Sequence, residues 1–331
     1  GLGDVYKRQV LDRVGLVGAG ARADLRGERD RGAAGKPIPA DDLAMLPDGG
    51  TVMSEVLLND TDPVGGVLVL KSVTVPDDAP IAVEIQQHNR LRISAPVGLT
   101  GPTEFTYVVS NGPGEATGRV TVVPVSASGR STPPNAVDDH ALVRFGDIVT
   151  TSVLDNDQSP SGLALAIDRR VTVEGDEAAG DAFVAGDQVR FRAKKAGTVR
   201  VNYTIRDTDN NFSTAQLILT VVPLDQPNSP PLPQPIDGRV FAGSTAAIRI
   251  PTDGIDPDGD SVTLVGVAGA PAIGTAVVNN GTIDYTAPAG ATGTDTFSYE
   301  VADRFGARAT ATVRVGIAPP NTTNQSPTAV P

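Results

Sequence analysis

Phe105–Asn111 reads FTYVVSN, Val201–Asp207 reads VNYTIRD and Phe297–Asp303 reads FSYEVAD. In all three, the tyrosine and the residues two before and two after it are apolar and share one parity, the pattern of a strand with one buried face. Tyr107, Tyr203 and Tyr299 stand 96 residues apart, and a fixed period of this size makes the chain a tandem array rather than one large fold. Outward from the tyrosines, two further landmarks keep the register. Asp62-Pro63, Ser159-Pro160 and Asp256-Pro257 recur every 97 residues, as do Pro37, Pro134 and Pro231, with Pro327 following 96 later.

Each unit opens on a proline-rich segment, KPIPADD, STPPNAVDD or NSPPLPQPID, in which fixed φ angles favour a semi-rigid linker. Short alternating runs bounded by turn residues follow. GTAVVNNGTIDYTAP holds Asn280-Gly281 between two such runs, a strong hairpin signal. RVTVVP, AQLILTVVP and ATATVRVGIAP read as last strands that end at the next linker. About seven short strands per unit predict an all-β chain of β-sandwiches. The repeats are placed at 37–125, 134–224 and 231–320, with 327–331 opening a fourth. Residues 10–36, rich in Ala, Gly and Arg, match no strand pattern and are expected to be disordered. Asp4–Gln9, DVYKRQ, resembles the translation of a transposon-end adapter used in sequencing libraries. Residues 1–9 are therefore set aside from the fold, and the reading frame is expected to run on upstream.

Composition removes several function classes. The 331 residues carry 27 Lys and Arg against 39 Asp and Glu, a formal charge of −12, the wrong sign for neutralising phosphates, so no nucleic-acid partner is expected. With 0 cysteines there are no disulfides, thiolate metal sites or thiol nucleophiles. His88 and His140 are the two histidines, 52 residues apart in different units, which leaves little for acid–base pairs or imidazole metal sites. No run of 18 or more apolar residues predicts a membrane-inserted helix. Neither a nucleophile elbow nor a phosphate-binding glycine loop is present.

Gly274–Gly306 reads GTAVVNNGTIDYTAPAGATGTDTFSYEVADRFG. It resembles the bacterial Ig-like and cadherin-like tandem repeat, whose pattern runs G-x-V…G-x-I-x-Y-x-P…G-x-D-x-F-x-Y-x-V-x-D-x-x-G. Val56–Leu70, VLLNDTDPVGGVLVL, is similar to an earlier segment of the same family, and the second unit keeps VLDNDQSPSGLAL and VNYTIRD without the Tyr-x-x-Pro segment. The resemblance covers residues 37 to about 320. It implies tandem Ig-like (cadherin-like) β-sandwich domains joined by Pro-rich linkers, used in arrays on secreted or surface proteins of bacteria.

Asp256-Pro257-Asp258-Gly259-Asp260 is the stretch with most chemistry. Carboxylates on alternate residues of a turn can converge on a hard cation such as calcium, and the resemblance implies calcium too. An EF-hand is excluded, because Ser261 and Val267 stand where its glycine and glutamate belong. The competing reading is a type I turn whose aspartates cap backbone amides. Val64 and Gly66 in the first unit, and Ser161 and Leu163 in the second, replace Asp258 and Asp260, so the turn is the favoured reading, and calcium, if bound at all, is expected in the third unit alone. The recurring Asp41-Asp42, Asp138-Asp139, Asn59-Asp60 and Asn156-Asp157 pairs sit beside turns and are expected to be solvated loop acids, not catalysts. The three motif tyrosines are expected in the cores, their hydroxyls bonding back to the chain. Tyr285 reads either as an inward strand residue or as an exposed ring that a glycan could stack on.

The expected function is a non-catalytic stalk or adhesive spacer of a large extracellular or cell-surface bacterial protein. Repeats strung in series at about 35–45 Å each would hold an attached domain about 110–130 Å from its anchor. The partners are the neighbouring repeats, with a cell-wall or host surface protein or glycan as further candidates. Two alternatives stand beside it: an accessory binding module of a secreted carbohydrate-active enzyme or protease, and a calcium-assisted adhesion repeat.

Overall fold

The computed structural model describes residues 35–47, 50–95, 99–125, 132–160 and 163–320. Residues 1–9, most of 10–36 and the 327–331 segment lie outside them. Strands β1 (Asp42–Pro47), β2 (Thr51–Ser54), β3 (Val69–Thr74), β4 (Ala82–Gln86), β5 (Arg90–Ser94), β6 (Thr103–Ser110) and β7 (Glu115–Val125) form the first repeat. They make a sheet in the order β1-β7-β6-β3 and a facing sheet β2-β5-β4. The third repeat copies this plan with β16 (Ile236–Phe241), β17 (Thr245–Arg249), β18 (Val262–Gly269), β19 (Thr275–Asn279), β20 (Thr282–Thr286), β21 (Gly293–Asp303) and β22 (Arg308–Ala318). Its sheets run β16-β22-β21-β18 and β17-β20-β19. In each repeat the first strand pairs parallel with the last, and the other pairings are antiparallel.

The second repeat departs in one place. β8 (Asp139–Arg144), β9 (Ile148–Thr151), β12 (Gly180–Ala185), β13 (Gln188–Ala193), β14 (Gly197–Asp207) and β15 (Phe212–Val222) keep the plan. Where the others have one edge strand, it has two short ones, β10 (Leu165–Ile167) and β11 (Thr172–Val173), both paired with β14. A single 3-10 turn, Glu177–Ala179, follows, started by the Asp176 side chain accepting from Ala178 N.

Each repeat has its own apolar core, as expected for domains of about 90 residues that fold as units. The parity of the three tyrosine strands decides which face is inside. Phe105, Tyr107 and Val109, then Val201, Tyr203 and Ile205, then Phe297, Tyr299 and Val301 are all buried. Asn280-Gly281 turns the β19–β20 hairpin with φ of 47° and 81°, the two positive values a tight primed turn requires.

Contacts between repeats are not confined to neighbours in chain order. The second touches the third where β8 ends, and the first touches the third as well. Val67 N donates to Thr294 Oγ1 at 3.0 Å and Arg239 Nε to Leu68 O at 2.7 Å. Val67 and Val69 are buried yet lie outside the first repeat's core. They meet the bare backbone of Gly316, where an added Cβ would fall 2.6 Å from Val67 O. The run Val67-Leu68-Val69-Leu70 is apolar at both parities, the composition of a strand buried on two faces.

Candidate cation site at the junction of the second and third repeats

The Asp256–Asp260 loop is first of all a turn. Gly259 N donates to Asp256 O at 3.2 Å, and Asp256 Oδ1 accepts from Asp258 N at 2.9 Å and Asp260 N at 3.1 Å. The same job is done in the other repeats by Asp62, which accepts from Gly66 N, and by Ser159 Oγ, which accepts from Leu163 N at 2.9 Å. A carboxylate is thus not needed for the turn, since serine serves. Asp258 and Asp260 need another explanation.

Asp258 Oδ2 accepts from Ser229 N of the linker, and both aspartates face the second repeat. Arg144, the last residue of β8, is wholly buried, with Nε donating to Asp260 Oδ2 at 2.9 Å and Nη2 lying 3.5 Å from Asp258 Oδ2. Its Nη1 donates to the linker carbonyls of Pro223 (3.4 Å) and Gln226 (3.1 Å), and Nη2 to Pro227 O at 3.2 Å. The Phe305 ring covers the guanidinium at 5.4 Å, a favourable stacking for a cation. The backbones also join: Arg144 N donates to Gly259 O at 2.8 Å, and Ser261 N to Asp147 Oδ2 at 2.8 Å. Gly259 has φ of +78°, and a Cβ there would lie 2.6 Å from Val143 N, so both conformation and proximity demand glycine.

Carboxylate oxygens of Asp256, Asp258 and Asp260 lie within 4.8 Å of one another. Two buried oxygens, Asp256 Oδ2 and Asp260 Oδ1, have no hydrogen-bond partner. A hollow of about 60 Å³ between the repeats is lined by Asp253, Asp256, Asp260, Leu142 and Val149. Burial raises the pKa of both Asp256 and Asp260, and the negative charge of Asp303 adds to it, while Arg144 opposes the rise at Asp260. Hard oxygen donors, unpartnered and in surplus over the positive charge, fit a divalent cation.

The remaining acids are structural. Asp60 is buried rather than solvated: it accepts from Ala40 N at 2.8 Å and from the Tyr107 hydroxyl at 3.0 Å. The equivalent Asp157 accepts from Val137 N, and Tyr203 donates to Asp139 Oδ2 at 2.8 Å. Asn59 and Asn156 each donate to a backbone carbonyl, of Asp41 and Asp138. Tyr107, Tyr203 and Tyr299 donate to Ala40 O, Val137 O and Gln234 O, one position at the period of 97. Tyr285 is buried, donating to Asp295 Oδ2 at 2.7 Å, so it offers no exposed ring for a glycan. His88 lies between the first and third repeats, whereas His140 is an exposed residue of β8.

Two residues of consequence escaped the sequence reading. Asp295 is a buried carboxylate that accepts from Ala272 N, Ile273 N and Gly274 N, each at 2.9 Å, and from Tyr285. Its signal was present, for it shares the buried parity of Phe297 and Tyr299, and a charge at core parity implies a set of donors. Arg144 had no such signal, because its carboxylate partners belong to another repeat and its other acceptors are backbone carbonyls.

A family model described as "Bacterial Ig domain" matches residues 34–123, 131–220 and 228–316. Among curated proteins no sequence match is found. Among solved structures, an endo-fucoidan hydrolase of glycoside hydrolase family 107 is 16% identical, with 87% of this chain covering 45% of that one at a TM-score of 0.27. The chain thus spans under half of that relative's length. The four N-terminal Ig domains of Dscam1 isoform 1.9 are 12% identical, covering 86% of this chain and 78% of theirs at 0.34. The corresponding figures for Drosophila N-cadherin EC1-3 are 13%, 85%, 99% and 0.27. None of these likenesses assigns a ligand or an activity. Bacterial Ig domains are in general non-catalytic modules, typically extracellular or at the surface, and no described helix is long and apolar enough to cross a membrane. With three consecutive matches over most of its length, this chain belongs to the bacterial Ig domain family.

Proposed function

We propose that the chain is a non-catalytic spacer segment of a bacterial surface or secreted protein, whose role is to set the position of the domains it joins. One observation carries this reading: the carboxylates of Asp60, Asp139, Asp260 and Asp295 are each engaged in a strand clamp, a loop clamp or an inter-repeat contact. Catalytic carboxylates need a water-excluding site that separates their pKa values, and clamps to backbone amides consume the carboxylates instead. The test is retention on insoluble glycans and isolated cell walls. A spacer stays in the supernatant, whereas saturable retention would replace the reading with that of an accessory binding module.

A second reading, calcium-assisted adhesion, is favoured by the unpartnered oxygens of Asp256 and Asp260. Asp256, Asp258 and Asp260 would hold the ion, which would supply charge neutralisation at the junction. Millimolar calcium should then raise the melting temperature of the chain relative to excess chelator, and Asp256→Asn should remove the increment. An identical melting temperature in both conditions would leave the spacer reading alone.

A further inference from the structure

We propose that Arg144 is the resident cation of the junction between the second and third repeats, filling an oxygen cage so that the two repeats keep one geometry with or without a divalent metal. The proposal deepens the spacer reading and rests on it.

Five oxygens, from two carboxylates and the carbonyls of Pro223, Gln226 and Pro227, surround one positive centre. A guanidinium can satisfy such a set because its planar fork carries five N–H donors and cannot lose its charge. All three nitrogens of Arg144 are used, and the side chain is shut off from water. The carbonyls of Pro223, Gln226 and Pro227 come from the linker itself. One side chain therefore ties the outgoing repeat, the linker and the incoming repeat together.

The chain contains its own controls. At the period of 97 residues, Arg144 corresponds to Pro47 in the first repeat and Phe241 in the third. Each ends the first strand of its repeat, opposite Val125, Val222 and Ala318 respectively. The acidic pair at 258 and 260 corresponds to Val64 and Gly66 in the first repeat and to Ser161 and Leu163 in the second. The arginine and the acidic pair thus occur once each, on the two sides of one junction. A metal site would need only the acidic side, whereas a built-in cation explains both. The unpartnered Asp256 Oδ2 and Asp260 Oδ1 are not the oxygens that Arg144 contacts, although Asp260 Oδ1 shares its carboxylate with the one bound to Nε. A divalent ion there would be an addition to a closed junction, not its cause.

The chain has no cysteine, so Asp187→Cys on the second repeat and Val277→Cys on the third give a clean spin-label pair at exposed sites. The expected result is a single narrow distance distribution that is the same in excess chelator and in millimolar calcium. Arg144→Gln should broaden it in chelator at least twofold. Asp258→Asn with Asp260→Asn should do the same from the other repeat while leaving Arg144 in place, which covers the case in which the arginine variant fails to fold. Broadening of the unsubstituted junction on chelation, or a narrow distribution in the acid variant, would overturn the proposal. Glycan retention, which would sink the spacer reading, leaves these distances untouched, so the two failures are distinguishable.

Discussion

At the scale of single residues, buried carboxylates are the informative groups, and they do not behave alike. Asp295 is pulled two ways: burial alone would raise its pKa, but the Tyr285 hydroxyl and the amides of Gly274, Ile273 and Ala272 together hold it below the usual value. An acid depressed in the folded state contributes stability that is present above its unfolded pKa of about 3.9 and is lost as pH falls through the lower folded value. Asp295→Asn should therefore flatten the acid limb of the melting curve below about pH 4. Asp295→Ala, which strips several buried donors of their acceptor, should cost about 3 kcal/mol or more in chemical denaturation at neutral pH. A variant that melts like the parent at pH 7 would show the donors to be hydrated instead. The motif tyrosines were readable from parity alone, because a ring two residues from apolar neighbours has one side to turn to. Asp60 was not: next to a turn it read as solvated, and only the fold brings the Tyr107 hydroxyl and the Ala40 amide to it.

Secondary-structure elements were legible wherever period and turn chemistry agreed, as in the Asn280-Gly281 hairpin and the three tyrosine strands. The edge of the second repeat was less so, because β10 and β11 are short and carry too few residues to show an alternation. Repeated turns allow backbone strain and repeat contact to be separated. Gly65 and Gly259 occupy the same place in the first and third repeats, with φ of +73° and +78°. An added Cβ has nothing within 4 Å at Gly65, but meets the backbone of Val143 and Leu142 at Gly259. Gly65→Ala should cost about 1 kcal/mol from its left-handed conformation alone. Gly259→Ala should cost that and also force the second and third repeats apart, visible as a broadened distance between labels on them. Equal effects of the two substitutions on both readouts would mean that the junction tolerates a methyl group and is looser than its contacts imply.

For the described molecule as a whole, what a periodic sequence cannot report is which repeat touches which. Periodicity describes what each unit buries within itself, and contacts between units can rest on residues that break the period, such as Arg144, or on a run that recurs, for Val67–Leu70 has the equally apolar counterpart Ala164-Leu165-Ala166-Ile167 in the second unit. The first and third repeats meet around His88, one of the most titratable groups in the chain at physiological pH. Its ring packs at 4.3 Å on Phe241, its Nδ1 donates to Leu70 O at 3.2 Å, and the tautomer is set by that carbonyl. Burial lowers its pKa, the Leu70 carbonyl works against the shift, and the Arg239 charge adds to it. Arg239 in turn faces Asp237 and Arg314. A histidine depressed in the docked state favours docking fully above its free pKa of about 6.5, and the advantage is lost as pH falls from there through the docked value. Lowering the pH from 7.5 to 5 should therefore lengthen the distance between labels at Asp77→Cys and Val277→Cys. His88→Gln, neutral throughout, should hold the neutral-pH distance across the range. A distance that ignores pH in the parent chain would show that His88 stays neutral in the contact, leaving Val67, Val69 and the Arg239 hydrogen bond to hold the first repeat against the third without any sensitivity to acid.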